Sequence, residues 1–548
     1  MRLIIVGGVA AGASAAARAR RLSEDAEILL IERGPDISFA NCGMPYFIGG
    51  EIKDRNKLLV TKPELLRNRF RIDVRTGTEV VAVDRTAKTV RIIDLQSGQE
   101  TTESYDKLLL APGSAPLKPP LPGIDMPGIF TLRNLQDMDR IVVASQNAKQ
   151  AIVIGAGFIG LELVENFTRR GVQCALVELQ DQVLPPVDKE LTTPILETLR
   201  QQGVRVVLGQ SAQSFSAVNG GLGVQLPSGE VLQGDLVVLG IGVRPESRLA
   251  VEAGLEAGPR GGIRVNAHMQ TSDPDIYAAG DVVETTCGIT GDRIQVPLAG
   301  PANRQGRIAA DHMFGQCSSF RGVQGTAVVG VFEKTIAMTG LSEKRLRGSG
   351  QPYRAVYIHP AHHAGYYPGA EGMTLKLVFD PNSGRILGAQ GVGGAGVDKR
   401  IDVLAVAIQA GMTVRDLEQL ELCYAPQYGS AKDPVNMLGF VASGLLNGTH
   451  PQIDINEVMA LRADERPFLL DVRTVPEFAA GSIPGAVNIP VDELRDRLAE
   501  LPRTQPIAAF CKVGQRGYVA TRILLQHGFD VRNISGGYTT YRLKHPQG

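Results

Sequence analysis

Two cysteines in this chain stand in settings suited to sulfur chemistry. Cys42 lies in SFANCGMPY (38–46), just after Asn41 at the expected start of a short helix, CGMPYFIGG. Free backbone N–H groups there stabilise a thiolate and are expected to lower its pKa. Cys511 ends the apolar run PIAAF and opens the loop Lys512-Val513-Gly514-Gln515-Arg516, which leads into the helix GYVATRILLQHG. Such a loop aims backbone N–H groups inward at a helix N-terminus and forms a cradle for an anionic thiolate or persulfide. Arg516 adds positive charge. Cys174, inside VQCALVEL, reads as core filler, and Cys287, Cys317 and Cys423 have no comparable context. The six cysteines form no CxxC pair, unlike a zinc site or a secreted disulfide framework, and they fit a reducing cytoplasm.

The elements that position these thiols repeat. LIIVGGVAAGASAAA ends in ILLIER, and AIVIGAGFIGLELVENF ends in CALVEL, each a β-α-β unit. In the second, Gly155, Gly157 and Gly160 make a full G-x-G-x-x-G after a β-rich run, and Glu178 closes the next strand. The glycines permit a tight turn and let a pyrophosphate meet N–H groups at a helix N-terminus. Glu178 accepts from a ribose 2′-hydroxyl and repels a 2′-phosphate, so NADH is expected over NADPH. The first unit keeps Gly7, Gly8 and Gly12 with Val9 at the middle position, and Glu32 supplies the acidic residue. Two dinucleotide units imply two dinucleotides, most commonly a bound flavin and a visiting nicotinamide.

Further motifs carry a family resemblance. LLLAPGSAP (108–116) is similar to the crossover between the two units of flavoprotein disulfide reductases, and TSDPDIYAAGDV (271–282) resembles their second flavin motif. The resemblance to two-dinucleotide-binding-domain flavoproteins spans residues 1 to about 445. SFANCGMPYFIGG, GPANRQGR (300–307) and CYAPQYGSAKDPVNMLGF (423–440) resemble the coenzyme A disulfide reductase and NADH oxidase/peroxidase branch. It implies FAD at Gly7, Gly8, Ala10, Gly12, Glu32, Arg33, Val80, Ala111, Gly113, Asp281 and Ala299, with Asp281 at the ribityl or phosphate end. It implies NADH at Gly155, Gly157, Ile159, Gly160, Glu178 and Gly242, and coenzyme A at Arg18, Arg21, Ser38, Asn41 and Asn303. Arg18 and Arg21 share a helix face, as phosphate ligands or as a solvated charged face, whereas Arg20 points elsewhere. The resemblance also implies a homodimer whose interface tyrosines reach the partner's active site. They are Tyr424 and one of Tyr366 and Tyr367, with Tyr366 preferred.

Glutathione-reductase-like relatives cycle a disulfide between cysteines separated by four residues, but Ile37 and Phe47 stand at those positions here. Cys42 therefore acts alone, as a sulfenic acid that reduces oxygen species or as the partner of a small thiol. Ala10 stands where peroxide-reducing relatives carry a histidine, which favours the coenzyme A branch.

PFLLDVRTVPEF, GSIPGAVNIP and PIAAFCKVGQRGYVATRILLQHGF together resemble a rhodanese domain over 453–548. The resemblance implies a persulfide carrier at Cys511, with Asp471 and Arg473 fixing the structure. His359, His362 and His363 cluster without an acidic or cysteine ligand, and no metal is expected.

The expected architecture is α/β: two Rossmann-like dinucleotide-binding domains, an α+β dimerisation domain and a C-terminal α/β rhodanese domain. The expected limits are 1–111 with 241–324 for FAD, 112–240 for NAD, 325–445 for the interface, 446–452 for a linker and 453–548 for the rhodanese domain. Lys plus Arg equals Asp plus Glu at 57 each, giving no net basic field for nucleic acid. The apolar N-terminus reads as strand-turn-helix rather than export signal, and no run suits a membrane span, so a cytoplasmic location is expected. The expected function is FAD-dependent NADH reduction of coenzyme A persulfide, polysulfide or coenzyme A disulfide at Cys42, coupled to Cys511. The alternatives are an NADH oxidase/peroxidase with an accessory tail and a redox-sensing sulfur-binding scaffold.

Overall fold

The computed structural model describes residues 1–218 and 220–546, which divide into two compact units. Residues 219, 547 and 548, within the expected 112–240 and 453–548 limits, lie outside the described residues. The first unit comprises Met1–Asp181 and Gly203–Val323. Its two halves repeat one plan. The strand Arg2–Val6 pairs in parallel with Glu27–Glu32 and Lys107–Leu110, within a five-stranded sheet completed by Asp73–Thr76 and Ile276–Ala278. Gln150–Ile154 occupies the same place between Gln173–Glu178 and Leu236–Leu239, with Arg205–Leu208 and Ile129–Thr131 outside. Each half also carries a three-stranded antiparallel sheet, Thr78–Asp84 with its neighbours and Ser214–Val218 with its neighbours. After their first residues, Arg2 and Gln150, the central strands are apolar and buried, as a parallel sheet covered on both faces requires.

Small residues bring backbone close to backbone. A Cβ on Gly12 would lie 1.8 Å from the Gly7 carbonyl oxygen, and one on Gly160 would lie 1.9 Å from that of Gly155. Each helix thus starts directly on the glycine turn that ends its strand. The alanine-rich helix Ala10–Leu22 packs on Ala299–Met313, where a Cβ on Gly306 would meet the Ala11 carbonyl oxygen at 2.1 Å.

The second unit comprises Gln182–Gln202 and Gln324–Gly548. It holds a five-stranded antiparallel sheet built on Lys334–Gly340, Met373–Phe379 and Ile386–Gly393. It also holds a five-stranded parallel sheet with Ile507–Phe510 at its centre, between Phe468–Asp471 and Val531–Ile534. The helix Lys189–Gln201, expected with the NAD-binding segment, groups with this unit instead. Charge helps to tie it there. The fully buried Lys376 ammonium lies 2.7 Å from Asp188 and 2.6 Å from Glu190 at the start of that helix, and also contacts Glu343. Tyr357 donates to Glu190 at 2.6 Å, and Gln390 donates to Asp188 at 2.8 Å. The three carboxylates form an acidic cluster whose centre the ammonium fills.

Burial pushes Glu190 up, but the Lys376 ammonium outweighs it and holds the carboxyl down at about 2. Its stabilising contribution is therefore present above the unfolded value, ~4.3, and lost as pH falls through about 2. Removing the ammonium alone strands three buried carboxylates. Lys376→Met is expected to destabilise the second unit by about 3–5 kcal/mol at pH 7. Denaturant unfolding should show part of that loss recovered at pH 5, where the orphaned carboxyls take up protons; a variant as stable as wild type at pH 7 would contradict this account.

Candidate active site

The two glycine turns are built alike. Gly7 takes φ 96° under Ala111, and Gly155 takes φ 102° under Gly240, conformations and approaches closed to other residues. Glu32 accepts from the Gly8 N–H at 2.8 Å and the Gly34 N–H at 2.7 Å, and Glu178 accepts from those of Ala156 and Gln180 at 2.7 and 2.9 Å. These acidic residues brace the turns. A Cβ on Gly157 would meet no protein atom within 4 Å. The chain itself has no steric need for glycine there, and the open space suits a pyrophosphate; both turns fit the dinucleotides expected of them.

The other expected flavin and nicotinamide residues fall around these turns and their strands. Ala10 opens the first helix, Ile159 is exposed in the first turn of Phe158–Arg169, and Gly113 and Gly242 take φ 75° and 110°. Val80 is buried in its antiparallel sheet, and Ala299 opens Ala299–Met313. Arg33 pairs with Glu246 and Glu79 at 3.3 and 3.5 Å. Burial pushes the Asp281 carboxyl up, while Ser114 donates to it at 3.3 Å.

Arg18 forms an ion pair with the buried Asp311 at 2.5 Å, so its charge is already matched, whereas Arg21 is exposed. Arg20 is buried and donates to the carbonyls of Phe70, Arg71, Ser23 and Glu24. Asn303 accepts from Ser14 at 2.6 Å and donates to Ala299, Asn41 donates to the Arg133 carbonyl, and Ser38 takes φ 47°.

Cys42 lies in the short turn Asn41–Gly43, directly before the helix Met44–Gly49. The expected lowering of its pKa is not found. Although solvent reaches the side chain, desolvation by its surroundings pushes the thiol up, and the carboxylates of Glu162 and Asp281 add to the rise. One backbone hydrogen bond works the other way and is outweighed. A six-residue helix places too little dipole at the thiol to reverse desolvation.

Glu162 itself was not legible as a site residue. It follows Gly160 by two positions on Phe158–Arg169, and Tyr46, four residues after Cys42, reaches it at 3.4 Å. The two helices meet closely because a Cβ on Gly49 would overlap the buried Asn166 side chain. Burial pushes the Glu162 carboxyl up to about 7, with Glu165 adding to the rise.

Within the second unit, the Tyr366 and Tyr424 hydroxyls lie 2.9 Å apart and both side chains are exposed. Tyr367 instead meets the edge of His363. The hydrogen bond with Tyr424 and local desolvation raise Tyr366, so it is protonated at neutral pH. The histidines have separate partners. His359 bridges Thr374 and Thr540, His362 meets the Glu371 backbone, and His363 is buried beside Ala364.

Cys511 is buried, and the Gly514 N–H points to its Sγ at 3.2 Å. A Cβ on Gly537 would lie 2.2 Å from the Cys511 carbonyl oxygen, which accepts from the Tyr538 N–H at 2.8 Å. Arg516 makes two bonds of 2.7 Å to Glu477, so much of its positive charge is matched. Asp471 and Arg473 form a buried pair that also holds Ser482 and the Gly481 carbonyl.

A paired dinucleotide fold with an accessible thiol beside a pH-sensitive carboxyl, joined to a second thiol in a backbone cradle, defines a nicotinamide-dependent sulfur oxidoreductase. Residues 1–306 match the Pyridine nucleotide-disulphide oxidoreductase family, 326–433 its dimerisation domain and 454–544 the Rhodanese-like domain. A Coenzyme A disulfide reductase of Staphylococcus haemolyticus is 36% identical over 447 residues, 81% of this chain and 100% of that protein. Reduced Bacillus anthracis CoADR-RHD has a TM-score of 0.97 at 47% identity, covering 100% of this chain and 98% of the other. A NAD-dependent persulfide reductase from A. fulgidus has a TM-score of 0.92 at 37% identity, covering 99% and 100%. The chain belongs to the pyridine nucleotide-disulphide oxidoreductases, whose cofactors are FAD and NAD(H). Among the described residues no helix is long and apolar enough to cross a membrane.

The Glu162 charge sets a pH dependence. Above about 7 the carboxylate is an anion that holds the Cys42 thiol up; below it the neutral acid does not. The folded chain binds this proton more tightly than the unfolded chain, so stability falls as pH rises from ~4.3 to about 7. Glu162→Gln should remove that slope and move the midpoint of Cys42 alkylation by iodoacetamide to lower pH. An unchanged midpoint in a folded, flavin-loaded variant would remove Glu162 from the account.

Proposed function

We propose that this chain reduces the sulfur–sulfur bond of coenzyme A persulfide with NADH, Cys42 being the attacking thiol and Cys511 the carrier of sulfane sulfur. The observation behind the reading is that one chain carries a free, accessible Cys42 in the reductase portion and a cradled Cys511 in the rhodanese-like portion. The named relatives support the same sulfur chemistry.

The Cys42 thiolate attacks the inner sulfur of the persulfide, the one that belongs to coenzyme A itself. The sulfur–sulfur bond breaks, hydrosulfide leaves with its electron pair, and Cys42 is left in a mixed disulfide with coenzyme A. Bound FAD and NADH supply the two electrons that return this disulfide to two thiolates. In sum, NADH, one proton and the persulfide give NAD⁺, coenzyme A and hydrogen sulfide. Tyr366 and Tyr424 of one protomer serve Cys42 of the other, and their hydroxyl pair donates the proton that neutralises a departing thiolate. Tyr366 is preferred over Tyr367 because it alone of the two meets Tyr424. Glu178 favours NADH, and Arg21 and Asn303 stand on the surface expected to take coenzyme A.

The test is anaerobic NADH oxidation with sulfide measured in parallel. Wild type should release one sulfide per NADH from coenzyme A persulfide and work more slowly on coenzyme A disulfide. Cys42→Ser should retain flavin and lose turnover with both. Cys511→Ser should retain turnover on supplied coenzyme A persulfide but lose sulfide release when thiosulfate and coenzyme A replace it. Full activity of Cys42→Ser would overturn the reading of the thiol, and equal thiosulfate-driven activity of Cys511→Ser would overturn that of the carrier.

A further inference from the structure

The Cys511 cradle is supported from outside the residues that match a rhodanese-like domain. His450 lies in the connecting segment, before the match begins at residue 454. Its ring is buried, with Nε2 2.9 Å from Nδ2 of the buried Asn533. Burial, with the nearby Arg522 charge adding, pushes the imidazole down to about 4, so the neutral ring accepts at Nε2. The same Asn533 amide nitrogen donates its other hydrogen to the Gly514 carbonyl at 3.0 Å. Gly514 takes φ 96°, and its own N–H is the group 3.2 Å from Cys511 Sγ. One amide thus forks between the connecting segment and the residue that faces the thiol.

The surroundings leave this fork little freedom. The Tyr518 ring lies 4.2 Å from that of His450, and Asn533 donates its backbone N–H to the Pro451 carbonyl at 2.9 Å. Arg522 donates to the Thr449 carbonyl at 2.8 Å. A Cβ on Gly517 would lie 2.3 Å from Asn533 Oδ1, so glycine is needed for the amide to reach the loop. Gln452 Nε2 lies 3.4 Å from Nδ1 of the ring.

We propose that His450 is a positioning residue for Cys511: through Asn533 it fixes the left-handed Gly514 so that the Gly514 N–H faces the sulfur and stabilises its anionic form. The functional rhodanese-like site then begins in the connecting segment and not at residue 454. The inference rests on Cys511 being the sulfur carrier only for its biological meaning; the coupling itself is a property of the resting thiol.

The experiment uses the full-length, flavin-loaded protein and reads the pH profile of iodoacetamide alkylation at Cys511 by peptide mass spectrometry. His450→Leu, which removes the acceptor, should move the midpoint upward and slow sulfur transfer from thiosulfate to cyanide by about 2- to 12-fold, the range of one hydrogen bond. His450→Gln, which restores an acceptor, should recover most of both. Asn533→Ser should reproduce the His450→Leu shift, and the double variant should add little to either, because both break one path. NADH-driven reduction of coenzyme A disulfide at Cys42 should be unchanged throughout. An unshifted Cys511 midpoint in His450→Leu, a failure of His450→Gln to recover it, or additive shifts in the double variant would each overturn the proposal. Loss of the carrier reading would look different: Cys511→Ser would retain thiosulfate-driven activity while the His450 coupling persisted.

Discussion

The contact on which the reductase portion depends is the closure of a helix onto the turn before it. At Gly12 and again at Gly160, a single added carbon would stand under 2 Å from a carbonyl of the glycine that ends the strand. That approach fixes where each helix begins, and a helix that begins there presents its free N–H groups at the sheet's carboxyl edge. Glu32 and Glu178 then take up the first N–H after each of these strand-ending glycines, those of Gly8 and Ala156. Val9 stands at the middle position of the first turn with φ −94°. A Cβ on the equivalent Gly157 would meet nothing within 4 Å, so the fold itself does not require glycine there.

The second unit is organised by charge where the first is organised by close packing. Lys376 gathers carboxylates from the segment around residue 188 and from Glu343, and both this ammonium and that of Lys544 stand over the Tyr357 ring, 5.1 and 4.8 Å from its centre. Lys544 in turn pairs with Asp454 at the start of the rhodanese-like portion. His359 adds a direct bond to Thr540. Breaking such an arrangement at one point leaves a buried ion without a partner, which gives it directional strength even where its net stabilisation is small. The result is that the antiparallel sheet, one detached helix and the parallel C-terminal sheet form one compact body.

Much of this was legible in the sequence because its signals are local. The glycine spacings, the acidic residues closing the paired strands and the loop after Cys511 each lie within one β-α-β unit, and the fold class followed from them. The signals that were missed are non-local. Nothing in KELTTPILETLRQ says that its preceding Asp188 will answer a lysine nearly two hundred residues later. Glu162 reads as one more polar position on an amphipathic helix until Tyr46 and Cys42 are placed beside it. The pKa of Cys42 was misjudged because a helix terminus was weighed without the desolvation and carboxylates that surround it.

The two thiols are consequently held in opposite fields. Cys42 faces Glu162 and Asp281, which disfavour an anion on its sulfur, whereas Cys511 faces an N–H group that favours one. A mixed disulfide carries no charge, so the field at Cys42 favours the covalently occupied sulfur over the free thiolate once the two compete. A persulfide anion on Cys511 has the reverse preference and is held by its cradle without a neutralising bond. In the proposed cycle this difference gives sulfur a direction: it is stored where anions are stabilised and cleaved where they are not.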